Sequence, residues 1–220
     1  MPDDRWSDLA HRFSAIYTGA ITDVLDKHGL LNQTLPSELA PLRPGMRTAG
    51  PAWPIEGRPE PGIDYDASIR RILEMLGAVP AHHIAVYQTH DRSSAHLGEL
   101  SVTSLKARGC AGAVIDGGCR DIEYILKEDF PVFARHTTPE DCVPRWRLID
   151  YNIPVTVGGV RVSPADYVVA DLDGIVAIPA SVLDDVLQEA EAVVSTESDI
   201  RTAVKEGVLP LDAYEQYGTF

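Results

Sequence analysis

Cysteine is scarce: three residues in 220, Cys110, Cys119 and Cys142, an odd number without metal-type spacing. That argues against a disulfide framework or a zinc ribbon and makes a reducing cytoplasm the expected compartment. Positive charge is short as well. Lys and Arg number 19 against 33 Asp and Glu, a formal charge of −14, and so acidic a surface repels phosphate backbones instead of releasing their counterions. Nucleic acid is therefore not expected as a direct ligand. No apolar run reaches the roughly 18 residues of a membrane span. The opening MPDDRWSDLAHRF is charged and has no apolar centre, so neither a membrane anchor nor a signal peptide is expected. Internal repeats and low-complexity segments are missing. So is a Gly-rich loop behind an N-terminal strand, which a nucleotide-like cofactor would need.

What remains is ordinary globular composition, 45% hydrophobic and 24% charged, in a length that suits one buried core. A single domain over residues 1–220 is expected. Helical period places Leu9, Phe13, Ile16 and Tyr17 on one face over residues 7–17, with Thr18 and Gly19 as the break. A second short helix carries Ile21, Val24 and Leu25, and its Asp23 and Asp26 read as capping or solvated carboxylates. Seven prolines between 36 and 62 predict turns and short edge strands there, with one strand near residues 48–55. Ile69, Ile72, Leu73 and Leu76 return to helical period, and residues 84–88 alternate as a strand. Further on come a helix through Ile122, Ile125 and Leu126, a strand at 130–134, a Val-rich hairpin turning at Gly158 and Gly159, and a second hairpin around residues 172–174. A closing helix follows, with Ser181 as the expected N-cap, and runs to Gly207. Two hairpins without intervening helices weigh against a simple doubly wound sheet.

The chain is organised around residues 98–121, GELSVTSLKARGCAGAVIDGGCRD. A helix opens at Gly98-Glu99-Leu100, breaks at Gly109 and Gly112, and leads into the apolar strand Ala113-Val114-Ile115, which runs out in a Gly-rich turn ending Arg120-Asp121. A helix start offers unpaired N–H groups and partial positive charge to an anion. If helix and strand pack back to back, Glu99, Arg120 and Asp121 share a pocket. His82, His83, His90 and His96 gather just upstream, and without zinc spacing they read as solvated or hydrogen-bonded imidazoles. His96, two residues before Gly98, is the one candidate among them for lining the pocket. Cys119 reads as packed rather than reactive.

An acidic residue, twenty residues, then Arg-Asp is also a family pattern, and Glu99 with Arg120-Asp121 has that spacing. With its flanks Ile21-Thr22-Asp23-Val24-Leu25, Gly50-Pro51-Ala52, Pro131-Val132-Phe133-Ala134 and Ala170-Asp171-Leu172-Asp173-Gly174-Ile175-Val176, the chain resembles the RraA-like family. That family includes 4-hydroxy-4-methyl-2-oxoglutarate aldolases with oxaloacetate decarboxylase activity and the RraA regulators of ribonuclease E. The resemblance implies an α/β architecture of the β/β/α swivelling-domain type, with a β-sandwich-like core flanked by helices. Segments 1–30 and 181–207 would pack on that core or on neighbouring subunits of a trimer or hexamer.

For function, the resemblance implies a class II lyase that cleaves a 4-hydroxy-2-keto acid to pyruvate and decarboxylates oxaloacetate. Asp121 would hold Mg2+ or Mn2+ among waters, and Arg120 would meet the pyruvyl part of the substrate. The backbone amides of Gly98, Glu99, Leu100 and Ser101 would receive its carboxylate, and Glu99 would serve as acid/base through a water. Glu197, from a neighbouring subunit, would reach the metal waters. The family aldolases have aspartate where this chain has Glu99, one methylene longer, which changes the reach of the acid. The alternative is a non-catalytic regulator binding ribonuclease E, a group in which glycine is typical at that position. A methyltransferase, a label attached to some such relatives, lacks its cofactor loop here.

Overall fold

The computed structural model describes residues 2–220, with side chains from Arg5 onward. In chain order the elements are α1 (Pro2–Phe13), α2 (Thr18–Lys27), β1 (Ala40–Pro41), β2 (Thr48–Pro59), α3 (Tyr65–Ala78), β3 (Ile84–Gln88), β4 (Ala95–Leu97), α4 (Glu99–Ala107) and β5 (Gly112–Cys119). Then follow α5 (Ile122–Glu128), β6 (Val132–Thr137), β7 (Trp146–Tyr151), β8 (Val155–Val157), β9 (Val160–Val162), β10 (Tyr167–Ala170), β11 (Ile175–Ile178), α6 (Leu183–Lys205) and α7 (Pro210–Tyr217).

Nine strands form one mixed sheet in the order β1-β6-β5-β3-β2-β10-β11, with β4 added to β5 and β7 added to β2. The middle, β6-β5-β3-β2, is parallel, while β1, β7, β10 and β11 join antiparallel. The β8–β9 hairpin stands apart as a two-stranded piece. This is the expected α/β architecture, a curled half-barrel sheet covered by helices. One face packs Ile72, Met75 and Leu76 of α3, Val102 and Leu105 of α4 and Ile125 of α5 against Tyr87, Ala113 and Ile115. The other face is closed by Val155, Val157, Val160 and Val162 of the hairpin over Val86, Val114 and Phe133. Around β10 and β11, Phe13, Ile21, Leu25 and Leu187 of the terminal helices cover Tyr167, Val169 and Ile178.

Several local expectations are corrected. The proline-rich stretch holds a central strand of 12 residues, not an edge one. β2 meets β10 through residues 48–51, β3 through 52–56 and β7 through 55–59, the β7 pairing shifting register at a bulge between Glu56 and Gly57. Proline carbonyls still accept there, as Pro54 O does from Asn152 N–H at 2.7 Å, so only donors are lost. α1 ends at Phe13, and Thr18 begins α2 instead of breaking a helix. Ser181 does not cap the closing helix: a 3-10 turn, Ala180–Val182, leads into α6, and no side chain caps it.

The largest correction lies in the centre. Gly117 and Gly118 are strand residues of β5, not a turn, and the strand runs to Cys119 with an irregularity between Ile115 and Gly118. Their glycines answer close approach. A Cβ on Gly117 would stand 2.6 Å from Thr89 Oγ1, and one on Gly118 would stand 2.5 Å from the Ser94 carbonyl.

Candidate active site

β4 and β5 run side by side, with Ala95 opposite Gly118 and Leu97 opposite Cys119. Pairing these two strands brings the entry to α4 beside the exit from β5, and the Arg120 N–H closes the corner by donating to Leu97 O at 3.0 Å. Asp121 then turns the chain in the left-handed region, φ 59° and ψ 37°, a conformation aspartate tolerates better than most residues. Its carbonyl starts α5 by accepting from Tyr124 and Ile125 N–H at 3.0 and 3.1 Å. Its carboxylate does not cap that helix. It crosses instead to the start of α4, where Oδ2 accepts from the Glu99 N–H at 3.1 Å. Gly98 makes room for this: a Cβ there would stand 2.6 Å from Asp121 Oδ2 and 3.3 Å from Arg120 Cγ.

A cleft of about 270 Å³ opens at this corner, lined by Gly98, Leu100, Ser101, Arg120 and Asp121, with α3 forming the opposite wall. The structure thus brings together five of the seven residues to which the resemblance gives a role. Arg120 lies 3.7 Å from Asp121 Oδ2 through Nε and 3.7 Å from Asp141 Oδ1 through Nη1. Both separations exceed hydrogen-bond length, so the half-buried guanidinium keeps donors available for a ligand. The amides of Leu100 and Ser101 belong to the first turn of α4, where N–H groups lack intrahelical partners.

Two candidates lie elsewhere. The Glu99 side chain sits on the exposed face of α4, accepting from Thr103 Oγ1 at 3.2 Å, and is not part of the cleft lining. Glu197 accepts from the Tyr17 hydroxyl and lies 3.9 Å from Arg201 Nη2. It lines a separate cavity with Asp23, Asp26, Lys27 and Tyr217, so any part it plays at Arg120-Asp121 requires another subunit.

Sequence reasoning missed Asp141 and the wall of α3. Asp141 reaches the cleft because the loop after β6 runs along β4, with Ala95 N–H donating to Glu140 O at 2.7 Å and Cys142 N–H to Ala95 O at 3.2 Å. No spacing in the sequence announces that pairing.

His96 borders the cleft, but its ring is wholly buried, edge-on to Trp146 at 5.0 Å and 3.4 Å from Asp91 Oδ2. Neither ring nitrogen has a hydrogen-bond partner, so Asp91 approaches the ring without bonding to it. Burial lowers the imidazole's pKa, Asp91 only partly offsets it and His136 adds to it, leaving it at about 4. Desolvation works the other way on Asp91, yet hydrogen bonds from Ser94 and Ser93 outweigh it and hold the carboxyl at about 2. Of the other loop histidines, two are bonded as expected, His83 to Ala81 O at 2.9 Å and His90 to Glu56 at 2.7 Å. Cys119 is fully buried, and burial pushes its thiol up to about 12: it is packed and inert.

The model of the RraA-like family, described as Aldolase/RraA, matches residues 18–177. The chain belongs to the RraA-like family. A relative from Halalkalibacterium halodurans, provisionally named a 4-hydroxy-4-methyl-2-oxoglutarate aldolase, is 30% identical over 207 residues, 94% of this chain and 93% of the relative. A crystal structure of an uncharacterised Pseudomonas syringae pv. tomato protein superposes with a TM-score of 0.85 at 27% identity, over 96% of this chain and 94% of that one. Streptomyces coelicolor RraAS2, described as an unusual member of the RNase ES inhibitor RraA family, superposes with a TM-score of 0.78 at 26% identity, over 88% and 96%. The RraA-like match covers both arms of the cleft corner, from β4 through α5.

Among the described residues no three His, Cys, Asp or Glu side chains are grouped to cage a metal, and no helix is long and apolar enough to cross a membrane. The donors at the cleft nevertheless fit a hard cation. Asp121 and Asp141 are both carboxylates, 43% and 32% exposed, and that openness leaves room for the waters such an ion keeps. The neighbouring thiol is unsuited, since burial pushes Cys142 up to about 12.

Proposed function

We propose that this RraA-like protein is a divalent-metal-dependent lyase of short 2-keto acids. It would cleave a 4-hydroxy-2-keto acid of the 4-hydroxy-4-methyl-2-oxoglutarate kind to pyruvate, and would decarboxylate oxaloacetate at the same site. The reading is carried by one observation: an incompletely paired arginine, two carboxylates and a helix start converge on one cleft. Asp121, with Asp141 beside it, would hold Mg2+ or Mn2+, which when bound supplies Lewis acidity toward the keto oxygen.

The chain's own groups account for the rest. The free amides of Leu100 and Ser101 receive the substrate carboxylate. Arg120 orients the pyruvyl part and meets the negative charge that builds as the carbon–carbon bond breaks. In the retro-aldol direction the C4 hydroxyl loses its proton, C3–C4 breaks, and C3 takes a proton to become the methyl of pyruvate. Glu99, acting through a water, is the acid/base for these transfers once its carboxylate leaves Thr103 and turns toward the cleft. Glu197 of a neighbouring subunit in a trimer or hexamer would join the waters at the metal. Three buried thiols without a disulfide suit a reducing cytoplasm.

The test is pyruvate release from 4-hydroxy-2-keto acids and from oxaloacetate, with Mg2+ and with a chelator. Chelation, Asp121→Ala and Arg120→Ala are each expected to abolish it. Release that survives chelation, or persists in both variants, removes the mechanism. The likeness to RraAS2 favours a second reading, a non-catalytic regulator of ribonuclease E. Inhibition of that ribonuclease by a protein that releases no pyruvate would select it.

A further inference from the structure

The cleft is lopsided. Its polar end holds a single basic side chain able to carry charge, Arg120, facing two carboxylates, Asp121 and Asp141. The only other basic residue on the lining, His96, has its ring wholly buried. The opposite wall is apolar, formed by Tyr65, Ile69, Ile72, Leu73 and Leu76 of α3 with Val143. Those α3 positions follow helical period, so one stripe of the helix faces the cleft along its length. Leu73 and Tyr65 are 58% and 57% exposed there, and Leu100 across from them is 80% exposed. Large apolar side chains held open to solvent beside a charged corner are the pattern of a small-molecule site.

We infer that the natural substrate is a 2-keto acid with one carboxylate, at C1, and an apolar substituent, aliphatic or aromatic, on the far side of the bond that breaks. This rests on the proposed placement of the keto acid end at Arg120-Asp121 and narrows that reading, making 4-hydroxy-4-methyl-2-oxoglutarate and oxaloacetate lesser substrates. With the keto acid end there, the far end of the substrate lies along α3. A second carboxylate at that end would meet no cation on the lining and would lose its water to leucine and isoleucine, a cost that only a paired charge offsets. An apolar tail instead removes Leu73 and Leu100 from water along with itself. The single guanidinium is then left wholly to the pyruvyl end, whose carboxylate the Leu100 and Ser101 amides receive.

Two measurements on the full-length protein with Mg2+ test this. In the first, pyruvate release is compared for 4-hydroxy-2-oxo-4-phenylbutanoate and 4-hydroxy-4-methyl-2-oxoglutarate. The apolar substrate is expected to show at least about a tenfold higher kcat/KM, the scale on which pockets discriminate such groups. In the second, binding of the unreactive 2-oxo-4-phenylbutanoate and 2-oxoglutarate is measured by calorimetry, with the former expected to bind more tightly. Tighter binding of 2-oxoglutarate overturns the inference. If neither hydroxy acid releases pyruvate while the phenyl ligand still binds more tightly, the lyase reading fails and the apolar wall stands as a ligand site. Leu73→Arg, at an exposed position that folding tolerates, is expected to shift preference toward the dicarboxylate. If Leu73→Arg instead splits an assembly in light scattering and leaves the preference unchanged, the wall is a contact between copies and the inference falls.

Discussion

At Gly98 a single hydrogen separates a working corner from a blocked one. The backbone there, φ −133° and ψ −176°, is extended and open to any residue, so its tolerance is purely a matter of space. A methyl at Gly98 would stand 2.6 Å from Asp121 Oδ2 and would push the carboxylate off the Glu99 amide. Gly98→Ala is therefore expected to lose at least about a hundredfold in kcat/KM, as misplaced catalytic groups do, while its thermal unfolding stays close to wild type. Wild-type activity in this variant would show that the Asp121 to Glu99 contact does not matter. Glu99 is tested by a different contrast. Glu99→Gln should cut kcat by about a hundredfold, the usual scale for an acid/base, whereas Thr103→Ala, which only frees the carboxylate from its outward bond, should not. Equal small effects from both would leave Glu99 a surface residue of α4.

At the scale of elements, the floor under the cleft is where β4, β5 and β7 bury a polar pair. His96 and Asp91 set an acid limit to stability there. The unfolded chain takes up the imidazole proton near the ordinary 6.5, but the folded chain refuses it until about pH 4. The unfolded state therefore binds more protons across that window, and stability falls as pH drops from 6.5 to 4. For a wholly buried ring the loss is on the order of 3 kcal/mol. Asp91, held at about 2 against an ordinary 3.8, loses its own contribution below that window as pH falls from 3.8 to 2. Urea midpoints at pH 7, 5.5 and 4.5 should decline in the wild type, and His96→Gln should flatten the decline. An unchanged slope would mean that the ring protonates freely.

The same elements show what the sequence could and could not disclose. α3, α5 and α6 were legible because their apolar residues repeat at helical period, and the Val-rich hairpin because two glycines separate alternating runs. β4 and β7 were not. β4 has three residues, too few for any period, and β7 hides Trp146 between arginines that turn outward. Its partner is distant: a Cβ on Gly57 would meet Trp146 Cζ2 at 1.9 Å, so that glycine exists to admit the indole. Arg120 and Asp121 could be placed at one corner from spacing and resemblance. The outward lean of Glu99, the arrival of Asp141 and the apolar wall depend on side-chain direction and loop pairing, which no short window encodes.

For the molecule as a whole, the separation of Glu197 from the cleft has a consequence for assembly. Within one chain Glu197 belongs to the cavity between α2, α6 and the C-terminal residues, while Asp121 belongs to the corner of β5 and α4. If both serve one site, that site lies between copies, and closed cyclic symmetry repeats it at every interface. Asp121→Ala and Glu197→Gln would then each inactivate every site in a pure assembly. Unfolded together in equal amounts and refolded, the two inactive variants should recover about a quarter of the wild-type rate, the share of interfaces receiving both intact residues by random mixing. Light scattering on the same samples should report a trimer or hexamer. Mixtures as inactive as their parents would mean that the two residues do not meet across an interface, and the shared site falls. A fully active Glu197→Gln would place Glu197 outside the chemistry, leaving the Tyr17 hydroxyl as that carboxylate's partner.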